Sequence, residues 1–286
     1  MSPEIEAIVS AIKSLKQETG YFRDYLFPIA SAFFSSILGA GIAYFVLRDQ
    51  EDIQIEKDKM NSTNKWTLLA EQARANLIAI KSNYHGKLSN IPFQRLATVP
   101  TVLFQASPIN ETYQNLSFIA PKAAGASIKY NKWSQIPRIN AMISNYNYLL
   151  KLWEQRNTVY RPVIEELFNK HSKNGYLSIS QEEAISLVGG ATISSLIDLT
   201  ERVLKLTDDL LLELTDFLTE FPEYAKQIIR VKRLKRYGSV LTYLTEENSL
   251  LLAQLERVPE VDFESVLALF GRNPDEMKEK YKTGYE

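Results

Sequence analysis

The chain has 286 residues, a formal net charge of −1 and a hydrophobic content of 45%. This is enough for one large folded domain or two small ones beside any membrane segment. The chain contains no cysteine, which excludes disulfide scaffolds, thiolate metal sites and cysteine nucleophiles. A chain without cysteine also fits a reducing compartment.

The first predicted element is a short amphipathic helix over residues 1–20. Its apolar residues recur at spacings of three and four, at Ile5, Ile8, Val9, Ile12 and Leu15. Gly20 follows as a stop signal. Such a helix either lies on a membrane surface or packs against a copy of itself.

Residues 26–47 form an apolar segment without a charged residue. In a helix its 22 residues rise about 33 Å, close to the hydrocarbon thickness of a bilayer. A cleaved signal peptide is the competing interpretation, but its apolar core is shorter, about 7–15 residues, and is followed by a small-residue cleavage site. The charged stretch that follows here is RDQEDIQIEKDK. The sequence therefore favours a single retained transmembrane helix.

Small side chains occupy nine of the 22 positions in this apolar segment. Four of them are spaced four residues apart and so share one stripe of the helix: Ser31, Ser35, Gly39 and Ala43. Helices in lipid associate through close backbone approach, which small side chains permit. The stripe therefore predicts a homo-oligomer that packs through this helix.

After the apolar segment, residues 48–62 are charged and polar, which predicts a polar linker or an extension of the helix. Residues 63–286 show helical periodicity and predict an all-α domain, a bundle of about four long helices plus short terminal helices. Prolines interrupt residues 91–137, which predicts an irregular insertion. Within it, the stretch ATVPTVLF is compatible with a short strand.

Local sequence signals predict helix boundaries in the second half of the chain. Ser180 and Glu183 match a capping box at the start of a helix. The pair Gly189-Gly190 lacks the third glycine and the preceding strand of a dinucleotide-binding loop, so it predicts a kink or a close helix contact. Pro222 predicts the start of a further helix, and two short terminal helices are expected at Asp262 and Pro274.

The sequence contains no recognisable catalytic constellation. His85 and His171 are far apart and lack metal-ligand spacing, and neither a nucleophile elbow nor a phosphate loop is present. An acidic row occupies one helix face at Asp209, Glu213, Asp216 and Glu220. A di-metal carboxylate site would also need Glu-x-x-His motifs. We therefore predict a non-enzymatic protein with no cofactor and no metal.

Two groups of basic residues form a candidate anion surface. The first, the basic cluster, comprises Arg230, Lys232, Arg233, Lys235 and Arg236; the second, around the proline-rich insertion, includes Arg95, Lys122, Lys129 and Lys132. Basic residues interleaved with aromatics suit a phosphate backbone, a nucleotide or a lipid head group. The favoured alternative is a solvated surface or intramolecular pairing, in which a hairpin at Pro222 places Arg230 and Arg233 opposite the acidic row.

The charges that flank the apolar segment do not determine its orientation. Three basic residues precede it and four follow it within about 20 residues: Lys13, Lys16 and Arg23, then Arg48, Lys57, Lys59 and Lys65. The absence of cysteine and the basic clusters favour a cytoplasmic main domain.

Two functional hypotheses follow. The first is a non-enzymatic, oligomeric, single-pass membrane protein whose helical domain senses or binds a partner, such as another protein, and couples this to the lipid bilayer. The second is a membrane-tethered adaptor that binds nucleic acid, nucleotide or another anionic ligand through its basic surfaces. By layout alone, one anchor before a helical domain is similar to bacterial membrane proteins that include effectors of phage-defence systems.

Overall fold

The computed structural model describes residues 2–121, 131–173, 176–177, 179–243, 249–262, 264–265 and 274–285. These residues are predominantly helical, which confirms the predicted all-α class. The strands among them are a two-residue antiparallel ladder, in which Ser172–Lys173 (β1) pairs with Tyr176–Leu177 (β2). The chain divides into two compact units, Met1–Lys57 and Asp58–Glu286.

The first unit is helical without interruption from its first helix onward. Helix α1 spans Pro3–Tyr21, a π-helical turn spans Phe22–Leu26, and helix α2 spans Phe27–Lys81. The helix therefore continues through Gly20, and the predicted helix end at this residue is wrong. Pro28 accounts for the wider turn, because it has no N–H to donate and its ring crowds the carbonyl four residues earlier.

Among the described residues, one helical stretch is long and apolar enough to cross a membrane. Within Phe22–Lys81, a window of 18 residues reaches a mean hydropathy of 1.8, and none of that window is buried. Large side chains such as Phe33, Leu38 and Phe45 are more than 60% exposed. Helix α2 continues through residues 48–62 without a break, so this part of the chain is a helical extension.

The second unit contains the end of α2 and all later elements. These are α3 (Pro92–Thr98), α4 (Ile136–His171), α5 (Gln181–Val188), α6 (Gly190–Ile228), α7 (Val231–Leu234), α8 (Ser249–Leu255) and α9 (Pro274–Lys280), with 3₁₀ turns at Tyr113–Ile119 and Lys132–Ser134. Helix α9 begins where a terminal helix was expected, whereas most of the helix expected after Asp262 lies outside the described residues.

Helices α4 and α6 pack along each other and form the centre of this unit. Aromatic side chains fill the space between the long helices and the proline-rich insertion. The Phe217 and Phe221 rings of α6 stack with centroids 4.4 Å apart, and Trp133 meets Phe217 edge-on at 4.9 Å. All three are fully buried, and burial of each such side chain contributes about 1.5–3 kcal/mol.

Pro222 lies inside α6 instead of opening a new helix. The helix continues past it to Ile228, and Phe221, Tyr224 and Ala225 around it are buried. Apolar burial on both sides of the proline offsets the one backbone hydrogen bond that it removes. The described part of this unit therefore has three long helices, namely α4, α6 and the end of α2, where the sequence predicts about four.

The glycine pair separates α5 from α6. Helix α5 begins at the predicted capping box, in which the Glu183 N–H donates to Ser180 Oγ and the Ser180 N–H donates to the Glu183 carboxylate. It ends at Gly189, whose φ of 88° and ψ of 139° are rarely accessible to other residues. The predicted kink is present, and α6 starts at Gly190.

The stretch ATVPTVLF does not form a strand in the structure. Its backbone instead pairs with an amide side chain of α4, because the Val102 N–H donates to Asn157 Oδ1 at 3.3 Å and Asn157 Nδ2 donates to the Val102 carbonyl at 2.7 Å. Asn147 holds Ile109 in the same way. These two asparagines supply the hydrogen bonds that a neighbouring strand would otherwise provide.

Candidate functional site

The four small residues of the predicted stripe lie on an exposed face of α2. Ser31, Ser35, Gly39 and Ala43 are all exposed. A Cβ atom added at Gly39 meets no atom within 4 Å. The hydroxyl of Ser31 donates to the carbonyl of Pro28 at 3.0 Å, which satisfies it without water. The stripe is therefore accessible to another helix.

Arg95 lies in the interior, not on an exposed anion surface. Arg95 is 1% exposed, and its side chain forms an ion pair with Glu201 of α6, with 2.6 Å between Nη1 and Oε2. The guanidinium also donates to the carbonyls of Ser89 and Pro259. Through these contacts Arg95 connects three chain segments, which contain Ser89, Glu201 and Pro259.

The acidic row of α6 is paired within the chain, and the predicted hairpin at Pro222 does not form because α6 continues through Pro222 to Ile228. Its carboxylates contact Arg257 (Asp209), Arg138 (Glu213) and Lys132 (Asp216 and Glu220), at nitrogen–oxygen distances of 2.5, 2.7, 2.9 and 4.0 Å. Lys132 of the candidate anion surface is thus engaged with α6. Lys122 and Lys129 lie outside the described residues.

The basic cluster follows the end of α6, in and around the short helix α7. The side chains of Arg230, Lys232, Arg233, Lys235 and Arg236 are exposed. Leu234 between them is buried with Met60, Ala225, Ile229 and Val240. The cluster is therefore held on a small apolar base that includes a residue of α2.

A buried ion pair connects the end of α2 to α6. Lys81, the last residue of α2, is fully buried, and its Nζ lies 2.7 Å from Oδ1 of Asp208. The same ammonium donates to the carbonyl of Glu256, and the Val258 N–H donates to Asp208. Burial raises the pKa of Asp208 while Lys81 opposes that shift.

A cavity of about 430 Å³ lies beside this ion pair. We call it the α6 pocket; it is lined by Arg95, Glu201, Leu204, Lys205, Asp208, Arg257, Val258, Pro259, Glu260, Val261, Tyr281 and Lys282. The volume falls within the range of about 300–1,000 Å³ that is typical of small-molecule sites. Its lining combines apolar side chains with charges of both signs, which suits a small polar ligand.

Glu201 is the most unusual group in the α6 pocket. It is 5% exposed, and its Oε1 has no hydrogen-bond partner among the described residues, although Oε2 contacts Arg95. Burial raises the pKa of Glu201 from 4.5 to about 7, against the opposing charge of Arg95. By contrast, Arg257 and Lys282 of the lining are exposed. The pocket thus has an acceptor at its buried wall and, at its exposed side, cations that are paired with Asp209 and Glu279.

Sequence reasoning missed several charged residues that the structure buries, among them Lys81, Arg156 and Glu201. Lys81 lies four residues after the buried Leu77, and Arg156 lies three after the buried Trp153. A charged residue at the spacing of an apolar stripe is the signal that could have identified them. Among the described residues, no group of three metal-ligating side chains is arranged to hold an ion.

The chain matches no protein-family model, and no curated protein or solved structure shows significant similarity to it. The pocket, the buried ion pairs and the exposed basic cluster are therefore the basis for a functional proposal.

Proposed function

We propose that this chain is a non-enzymatic, single-pass membrane protein whose helical domain binds a small polar molecule in the α6 pocket and couples binding to its membrane helix. The observation that carries this proposal is the position of Lys81. It ends the helix that contains the apolar segment, and its ammonium contacts Asp208 of the pocket wall.

The coupling follows from the contacts that Lys81 makes. Its ammonium is shared between Asp208 of α6 and the carbonyl of Glu256, just before the pocket-lining residues 257–261. A ligand that moves this segment or changes the charge in the pocket alters the hydrogen bonds at the end of α2. Coupling requires that the ligand prefer one arrangement of these contacts over the other.

Self-association belongs to the same proposal. The exposed stripe of Ser31, Ser35, Gly39 and Ala43 permits α2 to pack closely against a second copy in lipid. Ligand binding then acts by changing how two copies of α2 associate. We place the helical domain on the cytoplasmic side, in keeping with its basic cluster and the absence of cysteine.

The second candidate function is a membrane-tethered adaptor for an anionic ligand. The exposure of Lys232, Lys235 and Arg236 favours it. Two other cations of the candidate surface, Arg95 and Lys132, form ion pairs with α6. We rank the adaptor below the pocket-based function because these ion pairs reduce its binding surface.

The test uses the full chain reconstituted in lipid nanodiscs and the small-molecule fraction of an extract from producing cells. We expect the fraction to raise the unfolding temperature, since a ligand at about 100 times its Kd stabilises the folded state by about 2.7 kcal/mol. Leu47→Cys, in a chain without other cysteines, carries donor and acceptor dyes that report self-association. Energy transfer should change on addition of the fraction.

Val258→Trp fills the α6 pocket and should abolish both responses, because Val258 lines the cavity. Leu103→Trp is the matched control, since Leu103 is 80% exposed and does not line the pocket. Stabilisation without a change in energy transfer would reject the coupling. Equal responses in wild type and Val258→Trp would reject the α6 pocket as the binding site.

A further inference from the structure

The basic cluster is a separate feature from the α6 pocket. Lys232, Lys235 and Arg236 project from α7 and the turn after it, and all three are exposed. None of them lines the cavity beside Asp208. The three cations lie within one short exposed stretch, and their combined positive potential attracts anions.

Exposed apolar side chains accompany these cations. Val231 is 39% exposed, Tyr237 is 51% exposed and Leu241 is 39% exposed. A surface that combines lysine and arginine with exposed aliphatic and aromatic side chains matches the boundary between lipid head groups and acyl chains. A phosphate backbone alone would not use the apolar part of this surface.

The same stretch is fixed to the part of α2 nearest the apolar segment in sequence. Asn64 donates to the carbonyl of Ser239 and accepts from the N–H of Leu241, and Met60 packs with the buried Leu234. Met60 follows Leu47 by 13 residues. A chain of that length spans at most about 45 Å, so the anchor sets an upper limit on the distance between Met60 and the bilayer.

We propose that Lys232, Lys235 and Arg236, with Val231 and Tyr237, form a docking surface for anionic lipid head groups of the membrane in which the chain is anchored. This inference rests on the proposed membrane span, because the anchor supplies the high effective concentration of lipid that a weak surface site needs. Positive charge close to a bilayer is attracted to acidic lipids and is screened by salt.

The test places an environment-sensitive dye at Val231→Cys in the full chain, which has no other cysteine. The labelled chain is reconstituted in nanodiscs of phosphatidylcholine alone or with about 30% phosphatidylglycerol, a surface with negative potential. Co-elution of protein with lipid on gel filtration tests the span itself. We expect a blue shift of emission in the anionic discs only, and loss of that shift at about 0.5 M salt.

Matched variants separate the basic cluster from general charge. The change Lys232→Gln with Lys235→Gln and Arg236→Gln should abolish the shift. The control, Lys87→Gln with Lys151→Gln and Arg161→Gln, removes three exposed cations elsewhere and should keep it. A dye at the exposed Leu103→Cys should not respond.

Several results would overturn the proposal. One is an equal emission in neutral and anionic discs that contain the protein. Another is an equal loss of the shift in both triple variants. A third is a response of the Val231→Cys dye to a DNA or RNA oligonucleotide in neutral discs but not to anionic lipid, which would assign the surface to nucleic acid. Failure to co-elute with lipid would instead reject the membrane span.

Discussion

At the scale of single residues, buried charges are the most informative feature of this protein. Arg156 of α4 is fully buried, and its guanidinium donates to the carbonyls of Val99 at 2.5 Å and Pro100 at 2.7 Å. It also lies over the ring of Tyr160 at 4.2 Å. Burial lowers the pKa of Arg156 to about 10. The arginine satisfies backbone acceptors of the insertion that no regular element pairs.

Arg156→Lys should therefore destabilise the domain by about 2–4 kcal/mol, because one ammonium cannot replace a planar guanidinium at several carbonyls. Urea unfolding monitored by tryptophan fluorescence measures this, since all three tryptophans lie in the second unit. Arg161→Lys on the same helix, where the side chain is exposed, should change stability by less than about 0.5 kcal/mol. Equal effects would show that Arg156 is not a structural link.

Glu201 makes stability depend on pH. Its pKa rises from 4.5 to about 7 on folding, so the folded state binds more protons than the unfolded state between these values. Stability from this group is therefore highest below pH 4.5 and falls as the pH rises towards 7, by up to about 3 kcal/mol.

Glu201→Gln removes this titration, so the free energy of unfolding of wild type relative to the variant should fall by that amount from pH 4.5 to pH 8. Urea unfolding at the two pH values measures it. Glu166→Gln, at a half-exposed residue paired with Lys170, is the control for loss of a surface carboxylate and should change the free energy of unfolding by no more than about 1 kcal/mol. A difference between wild type and Glu201→Gln that is the same at both pH values would mean that folding does not raise the pKa of Glu201.

At the scale of elements, the helix boundaries depend on the backbone conformation of a few single residues. Gly189 ends α5 with a positive φ, whereas Gly190 is the first residue of α6 and has room for a methyl group, its nearest neighbour being Ile185 Cγ2 at 3.7 Å. The two adjacent glycines therefore have different roles. One permits the kink, and the other is replaceable.

Gly189→Ala should cost about 1–3 kcal/mol, because alanine must adopt a conformation that only glycine adopts readily. Gly190→Ala should be neutral or stabilise the protein by up to about 1 kcal/mol, because alanine is the better helix former. Thermal unfolding followed by tryptophan fluorescence compares the two. The kink is not required by the fold if both variants unfold at the same temperature.

The apolar part of α2 supports a second prediction at this scale. Gly39→Leu or Ser35→Leu should weaken self-association, because a large side chain on the small-residue stripe prevents close backbone approach. Leu38→Ala lies off the stripe and should leave association unchanged. A membrane dimerisation assay provides the measurement. If all three variants behave alike, the small residues do not mediate association.

At the scale of the second unit, α6 gathers cations from segments that are far apart in the chain. Its carboxylates contact Lys81, Arg95, Lys132, Arg138 and Arg257. These ion pairs differ in burial. Lys81 and Asp208 are almost completely buried, whereas Lys132 and Asp216 are 30% and 55% exposed.

Lys81→Met should cost about 3–5 kcal/mol, because it leaves Asp208 buried without a counter-charge. Lys132→Met should cost no more than about 1 kcal/mol, since water and salt screen an exposed pair. Urea unfolding of the two variants gives the comparison. Similar losses would contradict the assignment of Lys81 as the buried link between α2 and α6.

Local interactions explain what could be predicted from the sequence. The helical class, the capping box at Ser180, the kink at the glycine pair and the apolar segment all depend on residues within a few positions of one another. The helix-breaking effect of Pro222 was predicted from the same local rules. That prediction was wrong because distant side chains bury the helix on both sides of the proline.

The sequence by itself determined that the chain is mainly helical and which described segment is apolar enough to cross a membrane, because periodicity and hydropathy are properties of neighbouring residues. Only the tertiary structure decided the partners of the charges. Arg95 and Glu201 are 106 positions apart, and Lys81 meets Asp208 across a similar separation. Long-range packing forms the α6 pocket and brings these groups out of water, and this loss of solvent raises the pKa values of Glu201 and Asp208.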